Sequence, residues 1–310
     1  LHLIIIIVLI LSSYLLGVFV EFFKSYPEHF SLSTSAFWEK SIKFINVNYY
    51  DQLELFKFYL LKYFMLPIKG FFISIPWPWF IFILVLLGWY YGRAKLAILN
   101  LILLSFIVIN GLWLKAMVTI YLCGASVILA CLIGIPLGIW GGLNDRANKI
   151  LSSITDTLQT LPSFVYLIPV VMLFRVGDFT AMLAVILYSL APAVKYTIHG
   201  IRSINSEIID AGKANGCNNR QLLFNIRLPL ALPEILLGIN QTIMLALSML
   251  VITALVGTRE LGQEVYIALT KADIGRGLVA GLCVAFIAII SDNLIKSASK
   301  KMKLKYGFSL

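Results

Sequence analysis

Long apolar runs limit what this chain can fold into before any motif is considered. Eight of them fall at about residues 1–20, 71–91, 96–114, 116–141, 157–176, 179–198, 235–257 and 277–296. Each is close to the roughly 18 to 20 residues that a helix needs to cross a bilayer. In hydrocarbon, every backbone N–H and C=O must be satisfied within the protein, so such runs fold as helices. The chain is 60% hydrophobic and 13% charged, whereas soluble domains are about half apolar and a quarter charged. The expected fold class is therefore all-α, a polytopic transmembrane bundle of about eight spans.

The first run, LHLIIIIVLILSSYLLGVFV, lacks a basic leading region and a small-x-small cleavage site, and it reads as a span or signal anchor. Residues 21–70 mix aromatics with both signs of charge and suggest an external amphipathic segment, so residues 1–70 form one expected region. Residues 71–296 form the expected working core, and 297–310 a basic tail. IPWPWF (Ile75–Phe80) suits an interfacial aromatic belt.

The net charge of +10 does not point to nucleic acid, because the cations gather at the ends of apolar runs. Arg93 and Lys95, Arg146 and Lys149, the 199–234 region with Lys195, and the tail with Lys296 together hold 14 of the 25 Lys and Arg on one side of an eight-span topology. That side is the cytoplasm by the positive-inside rule. No G-x-x-x-x-G-K-[ST] phosphate loop and no H-E-x-x-H occur. His2, His29 and His199 are scattered, and the four cysteines lack metal-ligand spacing, so no metal site is expected and enzyme readings are weak.

The segment 199–234 is better organised than a passive linker. Glu207 suits the first turn of a helix. Gly216 offers a left-handed end to that helix. Asn218 and Gln221 have capping-box spacing for a second helix. Leu222, Leu223 and Ile226 give the second helix an apolar face, and Pro229 is expected to end it. Ala211 and Gly212 are small enough for close approach of another surface. On spacing alone, an amphipathic hairpin on lipid headgroups and a partner-docking element are equally open.

Within the spans, Pro162, Pro169 and Pro192 are expected to interrupt helical hydrogen bonding. Gln159, Asn240, Gln241 and Ser248 are polar groups that either line a translocation path or bond neighbouring helices. Phe164 and Tyr166 could meet a quaternary ammonium through their ring faces, or simply pack in the core. Gly134/Gly138 and Gly277/Gly281 have the G-x-x-x-G spacing of close helix pairs.

The stretch DAGKANGCNNRQLLFNIRLP (Asp210–Pro229) resembles the coupling motif of ABC importer permeases, EAA-x3-G-x9-I-x-L-P. Asp210, Ala211 and Gly212 stand at the EAA positions, with Asp for Glu and Gly for the second Ala. Gly216, Ile226, Leu228 and Pro229 follow at the expected spacing. GLWLKAMVTIYL, IGIPLGIW, LQTLPSFVYLIPVVMLF, INQTIMLALSMLVITALVG and LGQEVYIAL resemble one branch of those permeases, which serves glycine betaine, proline betaine and choline. The resemblance covers about residues 71–296.

It implies a type I importer permease in the bacterial cytoplasmic membrane, working with a second permease subunit as a homodimer. It further implies an ATPase subunit that carries the ATP and magnesium, with no cofactor in this chain, and an extracytoplasmic solute-binding protein. Glycine betaine, proline betaine, choline and trimethylamine N-oxide are the expected solutes. An ion-coupled secondary transporter is the alternative, and it would need intramembrane acids, which are scarce here. A channel or scaffold is a further rival, in which segment 199–234 would have no partner.

Overall fold

The computed structural model describes residues 2–19 and 33–305. Residues 21–32 of the expected amphipathic segment and 306–310 of the tail lie outside the described residues. Contacts divide the chain into two compact units, Leu1–Tyr50 and Asp51–Leu310. The first holds α1 (His2–Phe19) and α2 (Ser35–Asn48). Leu3, Ile6, Leu9 and Ile10 of α1 are all exposed, and a helix apolar on every side suits lipid surroundings.

The second unit begins within α3 (Tyr50–Leu60), which passes through a π turn (Leu61–Met65) into α4 (Leu66–Ser74). Then come α5 (Trp77–Ile109), α6 (Trp113–Leu143), α7 (Asp145–Thr160) and α8 (Ser163–Phe174). α9 (Asp178–Arg202) leads to α10 (Ser206–Ala214) and the short α11 (Asn219–Gln221). A second π turn (Leu222–Arg227) joins α11 to α12 (Leu228–Thr253), and α13 (Leu261–Thr270) and α14 (Ile274–Lys305) complete the unit. Every regular element among the described residues is helical.

Five of these helices are long and apolar enough to cross a membrane, against the eight runs expected from the sequence. Three local features account for the difference. α1 is a shorter apolar helix. α7 and α8 share one run but meet at an angle of 95°, with Pro162 in the extended conformation at the break. The third is α5, which contains two expected runs and reverses at Arg93 (φ 57°, ψ −157°). The Asn100 side-chain amide donates to the Leu84 carbonyl at 2.9 Å, whereas in a straight helix these residues would stand about 24 Å apart. α5 is thus a hairpin of two arms, pressed together where Gly88 lies against the backbone of Ala97.

Proline interrupts less than expected. Pro169 and Pro192 lie inside helices that continue past them, as do Pro136 and Pro233; each removes one N–H without ending its helix.

The centre of the bundle is α6 against α9 and α9 against α12. A stripe of small residues on α6 sets the first contact. A Cβ on Gly138 would lie 2.5 Å from the Thr197 Cβ and 2.8 Å from the Val194 carbonyl oxygen. Gly134 meets Ala193 and Gly142 meets Ile201 equally closely. The Gly277/Gly281 pair has the same spacing but packs more loosely: a Cβ on Gly277 would lie 3.3 Å from the Ala268 Cβ, and nothing lies within 4 Å of one on Gly281.

At the end opposite the cation-rich turns, α3 and α4 are tied to the bundle. Lys57 donates to the last carbonyl of α8, at Phe174, over 3.0 Å. Lys69 pairs with Asp178 at 2.6 Å.

Candidate functional site

The connection between α9 and α12, at the cation-rich end of the bundle, carries the candidate site. α9 runs to Arg202 and the helix that leads into α12 begins at Asn219, so the connection, which holds α10, is narrower than the 199–234 segment read from sequence. Arg202 anchors its start, with its guanidinium on Asp145 at 2.5 Å and on the Gly141 carbonyl at 3.3 Å. The salt bridge is largely exposed, so its role is geometric more than energetic.

Asn205 opens α10. Its side-chain oxygen accepts from the Glu207 N–H at 3.0 Å, satisfying one of the orphan donors of a helix start. Glu207 sits in the first turn, where its charge opposes the positive helix end. The helix closes on Gly216 at φ +79°. The Gly216 N–H reaches the Lys213 carbonyl at 2.9 Å and the Cys217 N–H the Gly212 carbonyl at 3.1 Å. This is the paired-bond ending that a left-handed glycine permits. Two residues on, Asn218 and Gln221 exchange side-chain and backbone hydrogen bonds, both at 2.9 Å, closing the capping box.

The expected stop at Pro229 is not what the chain does. Leu228 is fully helical (φ −64°, ψ −46°), and helix runs from Asn219 to Val256. The π turn provides the reason. Its wider ring carries the ladder as far as Leu228 N–H to Leu223 carbonyl, so proline, which has no N–H and needs space for its ring, follows where a bond is skipped. The second half of the site is therefore continuous with a membrane-crossing helix.

The two halves meet through Gly212, which is buried. A Cβ there would lie 2.7 Å from the Ile226 Cδ1 and 2.8 Å from the Leu222 Cδ2. Ile226 thus packs inward beside Leu222, and both belong to the π turn. Glu207, Asp210 and Ala211 point away and are exposed, with Asp210 3.2 Å from Lys213. Leu228 and Pro229 are half-buried at the root of α12. Sequence reasoning passed over three further residues here. Asn205 is the cap itself, and its place two residues before Glu207 was the available signal. Phe224 is 63% exposed. Arg227 has a buried Nε with no hydrogen-bond partner, and lines a cleft of about 440 Å³ with Lys213, Arg220 and Leu143.

The candidate path residues divide. Tyr166 is buried, donating its hydroxyl to the Leu158 carbonyl across the α7–α8 bend and setting its ring against Tyr188 at 5.8 Å. Asn240 is buried and donates to Asp292 of α14 at 2.6 Å; these two hold helices together. Gln159 and Phe164 are exposed on either side of the bend, Gln159 taking a hydrogen bond from Lys195, which also pairs with Asp156. Gln241 and Ser248 are exposed on one face of α12, two turns apart.

At the outer end, Glu264 of α13 pairs with Lys115 of α6 and Arg276 of α14. Beside it Glu260, fully buried, accepts from the Gly262 N–H at 2.6 Å and lies 3.3 Å from the Thr119 hydroxyl. Burial pushes its carboxyl up to about 7, against the pull of those hydrogen bonds. Among the described residues, no three His, Cys, Asp or Glu converge on a metal position.

The bundle thus combines membrane-crossing helices with a capped, exposed element at its cation-rich end. Residues 134–304 match the family described as binding-protein-dependent transport system inner membrane component, and the chain belongs to that family, a multi-pass protein of the cytoplasmic membrane. It is 37% identical over 282 residues to the trimethylamine N-oxide transport system permease protein TmoV of Pelagibacter ubique, covering 91% of this chain and 39% of that one. It is 37% identical over 228 residues to the glycine betaine/proline betaine transport system permease protein ProW of Escherichia coli, covering 74% of this chain and 64% of that one. The glycine betaine transport system permease protein OpuAB of Bacillus subtilis is 37% identical over 217 residues, covering 70% and 77%. The chain thus spans well under two thirds of the TmoV relative and slightly under two thirds of ProW. The solved MetNI methionine ABC transporter shares the fold, with a TM-score of 0.56 at 16% identity over 63% of this chain and 96% of that one.

Proposed function

We propose that this chain is the membrane-spanning permease subunit of an ATP-driven importer for betaine-like osmolytes, with glycine betaine, proline betaine, choline and trimethylamine N-oxide as its range. Its relatives, named as permeases for trimethylamine N-oxide, glycine betaine and proline betaine, support that solute class. The observation that carries the coupling part is the α10–π-turn element. Its caps fix the backbone, Gly212 joins its halves, and Glu207, Asp210 and Ala211 are left facing outward.

In this reading the exposed stripe docks on a separate ATPase subunit that holds ATP and magnesium. Movement of α10 passes through the Gly212–Ile226 contact into α12, because helix is continuous from Asn219 to Val256. A solute-binding protein delivers solute to the outer end, and a second copy of the permease completes the pathway. The exposed face with Gln241 and Ser248, together with Gln159 and Phe164 at the bend, supplies the polar and aromatic lining. An ion-coupled carrier is less well supported, since Asp292 is paired with Asn240 and Lys296 and Glu264 with two cations.

The test is to purify the chain with candidate ATPase partners and measure ATP hydrolysis with and without Gly216→Pro. Co-purification, with stimulated hydrolysis that the substitution abolishes, is the expected result. If the ATPase neither co-purifies nor loses stimulation in the variant, the coupling reading fails. Solute identity is decided separately, by direct binding measurements on the solute-binding partner.

A further inference from the structure

A cavity of about 270 Å³ opens among the α5 hairpin, α6, α12 and α14. Leu84, Leu104, Ile128, Ile243 and Ile287 supply hydrocarbon walls, and of the lining residues only Ser291 carries a hydroxyl. Gly124 also faces it, and a Cβ at that position would have no atom within 4 Å. The space therefore persists beside a residue that could have filled it.

The cavity has a polar end. Along α14, Leu294 lines the cavity and Lys301 follows seven residues later. That is close to two turns, on the same helix face and about 10 Å nearer the cytoplasm. Along the first arm of α5, Leu84 and Tyr91 stand in the same relation. The two stripes meet again at that level: the Lys301 ammonium lies 3.5 Å from the centre of the Tyr90 ring and 5.7 Å from that of Tyr91. Arg93 is exposed at the hairpin turn just beyond. An apolar slot at bilayer depth thus ends in a cation–aromatic mouth at the cytoplasmic interface.

We propose that this slot is a phospholipid site, with an acyl chain in the cavity and the headgroup phosphate at Lys301 and Arg93. The surrounding medium is rich in acyl chains, and the length between slot and mouth matches an amphiphile. Cations at membrane interfaces recognise phosphate headgroups, and tyrosines favour the same depth. An intruding side chain from a second copy of the permease would gain nothing from a cation at the mouth. The inference does not depend on the transport reading.

The full chain, drawn in mild detergent from vesicles of phosphatidylethanolamine and phosphatidylglycerol, is washed free of loose lipid and weighed by native mass spectrometry. One retained phospholipid per permease chain is expected. Gly124→Leu, whose Cβ meets open space and whose side chain enters the cavity, should lower retention at least tenfold while thermal unfolding stays unchanged. Lys301→Gln should lower it several-fold by loosening the headgroup alone, and added inorganic phosphate should not displace the lipid. The proposal is overturned if the wild-type chain retains no phospholipid, or if Gly124→Leu retains as much as wild type. It is equally overturned if that variant splits a permease dimer with its lipid count unchanged, because the slot would then belong to a protein interface.

Discussion

The two ends of the bundle are held by opposite means. At the outer end, α6, α13 and α14 converge on buried charge: Glu264 is 6% exposed between Lys115 and Arg276, and Glu260 is wholly enclosed. At the inner, cation-rich end the ordering comes from backbone caps on exposed residues, namely Asn205, Gly216 and the Asn218–Gln221 box. Buried charges are costly to leave unpaired, so they fix a single arrangement. Caps define the shape of a helix end while leaving its side chains free to meet another surface. The outer end closes on itself, whereas the inner end leaves its side chains exposed.

The largest effect should come from the outer end. Glu264→Ala leaves two cations facing each other without their shared carboxylate. A loss of about 3 kcal/mol is expected, read as a drop of several degrees in thermal unfolding in detergent. The same substitution at Glu207, an exposed residue, should shift unfolding far less. Equal losses would remove the distinction between the ends.

Glu260 adds a pH dependence of defined sign. Its carboxyl is raised from 4.5 to about 7 in the folded chain, chiefly by burial. Below about pH 4.5 the folded and unfolded chains both hold the proton, and the stability that Glu260 contributes is fully present. As pH rises toward 7, the unfolded chain gives up its proton first and stability falls; above 7 it is level. The span is on the order of 3 kcal/mol. Glu260→Gln should flatten this slope between about pH 4.5 and 7 in thermal melts. A slope that survives the substitution would place its origin elsewhere.

Gly216→Ala tests the inner end with a smaller effect. An alanine at φ +79° costs about 1–2 kcal/mol, confined to the end of α10. Amide exchange should quicken in α10, and ATPase stimulation should fall, while the outer-end melting behaviour stays the same.

How far sequence could see these ends follows from what each depends on. Caps are local: Glu207, Gly216, Asn218 and Gln221 could be placed by spacing, because their partners lie within a few residues. The outer network joins residues as far apart as Lys115 and Glu264, or Thr119 and Glu260, and no periodicity links them. The number of runs and the number of helices part where two runs form one hairpin helix, as at Arg93, and where one run holds a sharp bend, as at Pro162. The glycine pairs make the same point. Gly134/Gly138 and Gly277/Gly281 share a spacing, but only a neighbour such as Ala193 or Thr197 makes the first pair a seam. Pro229 misled because a π turn, which sequence does not announce, absorbed the missing N–H.

The smallest expected change in stability is the most telling for function. Asp210 pairs with Lys213 across 3.2 Å with both side chains mostly exposed, and such pairs contribute little to folding. Asp210→Ala should therefore leave the melting temperature within a degree or so of wild type. If the Glu207–Asp210–Ala211 stripe is a docking surface, the same variant should lower ATPase stimulation and solute uptake several-fold. Asp210→Glu, which supplies the acid of the resembled motif, should preserve or raise both. A variant that melts early and loses coupling only in proportion would make Asp210 a folding residue. The inner end would then resemble the outer one, held together for its own sake and not shaped for a partner.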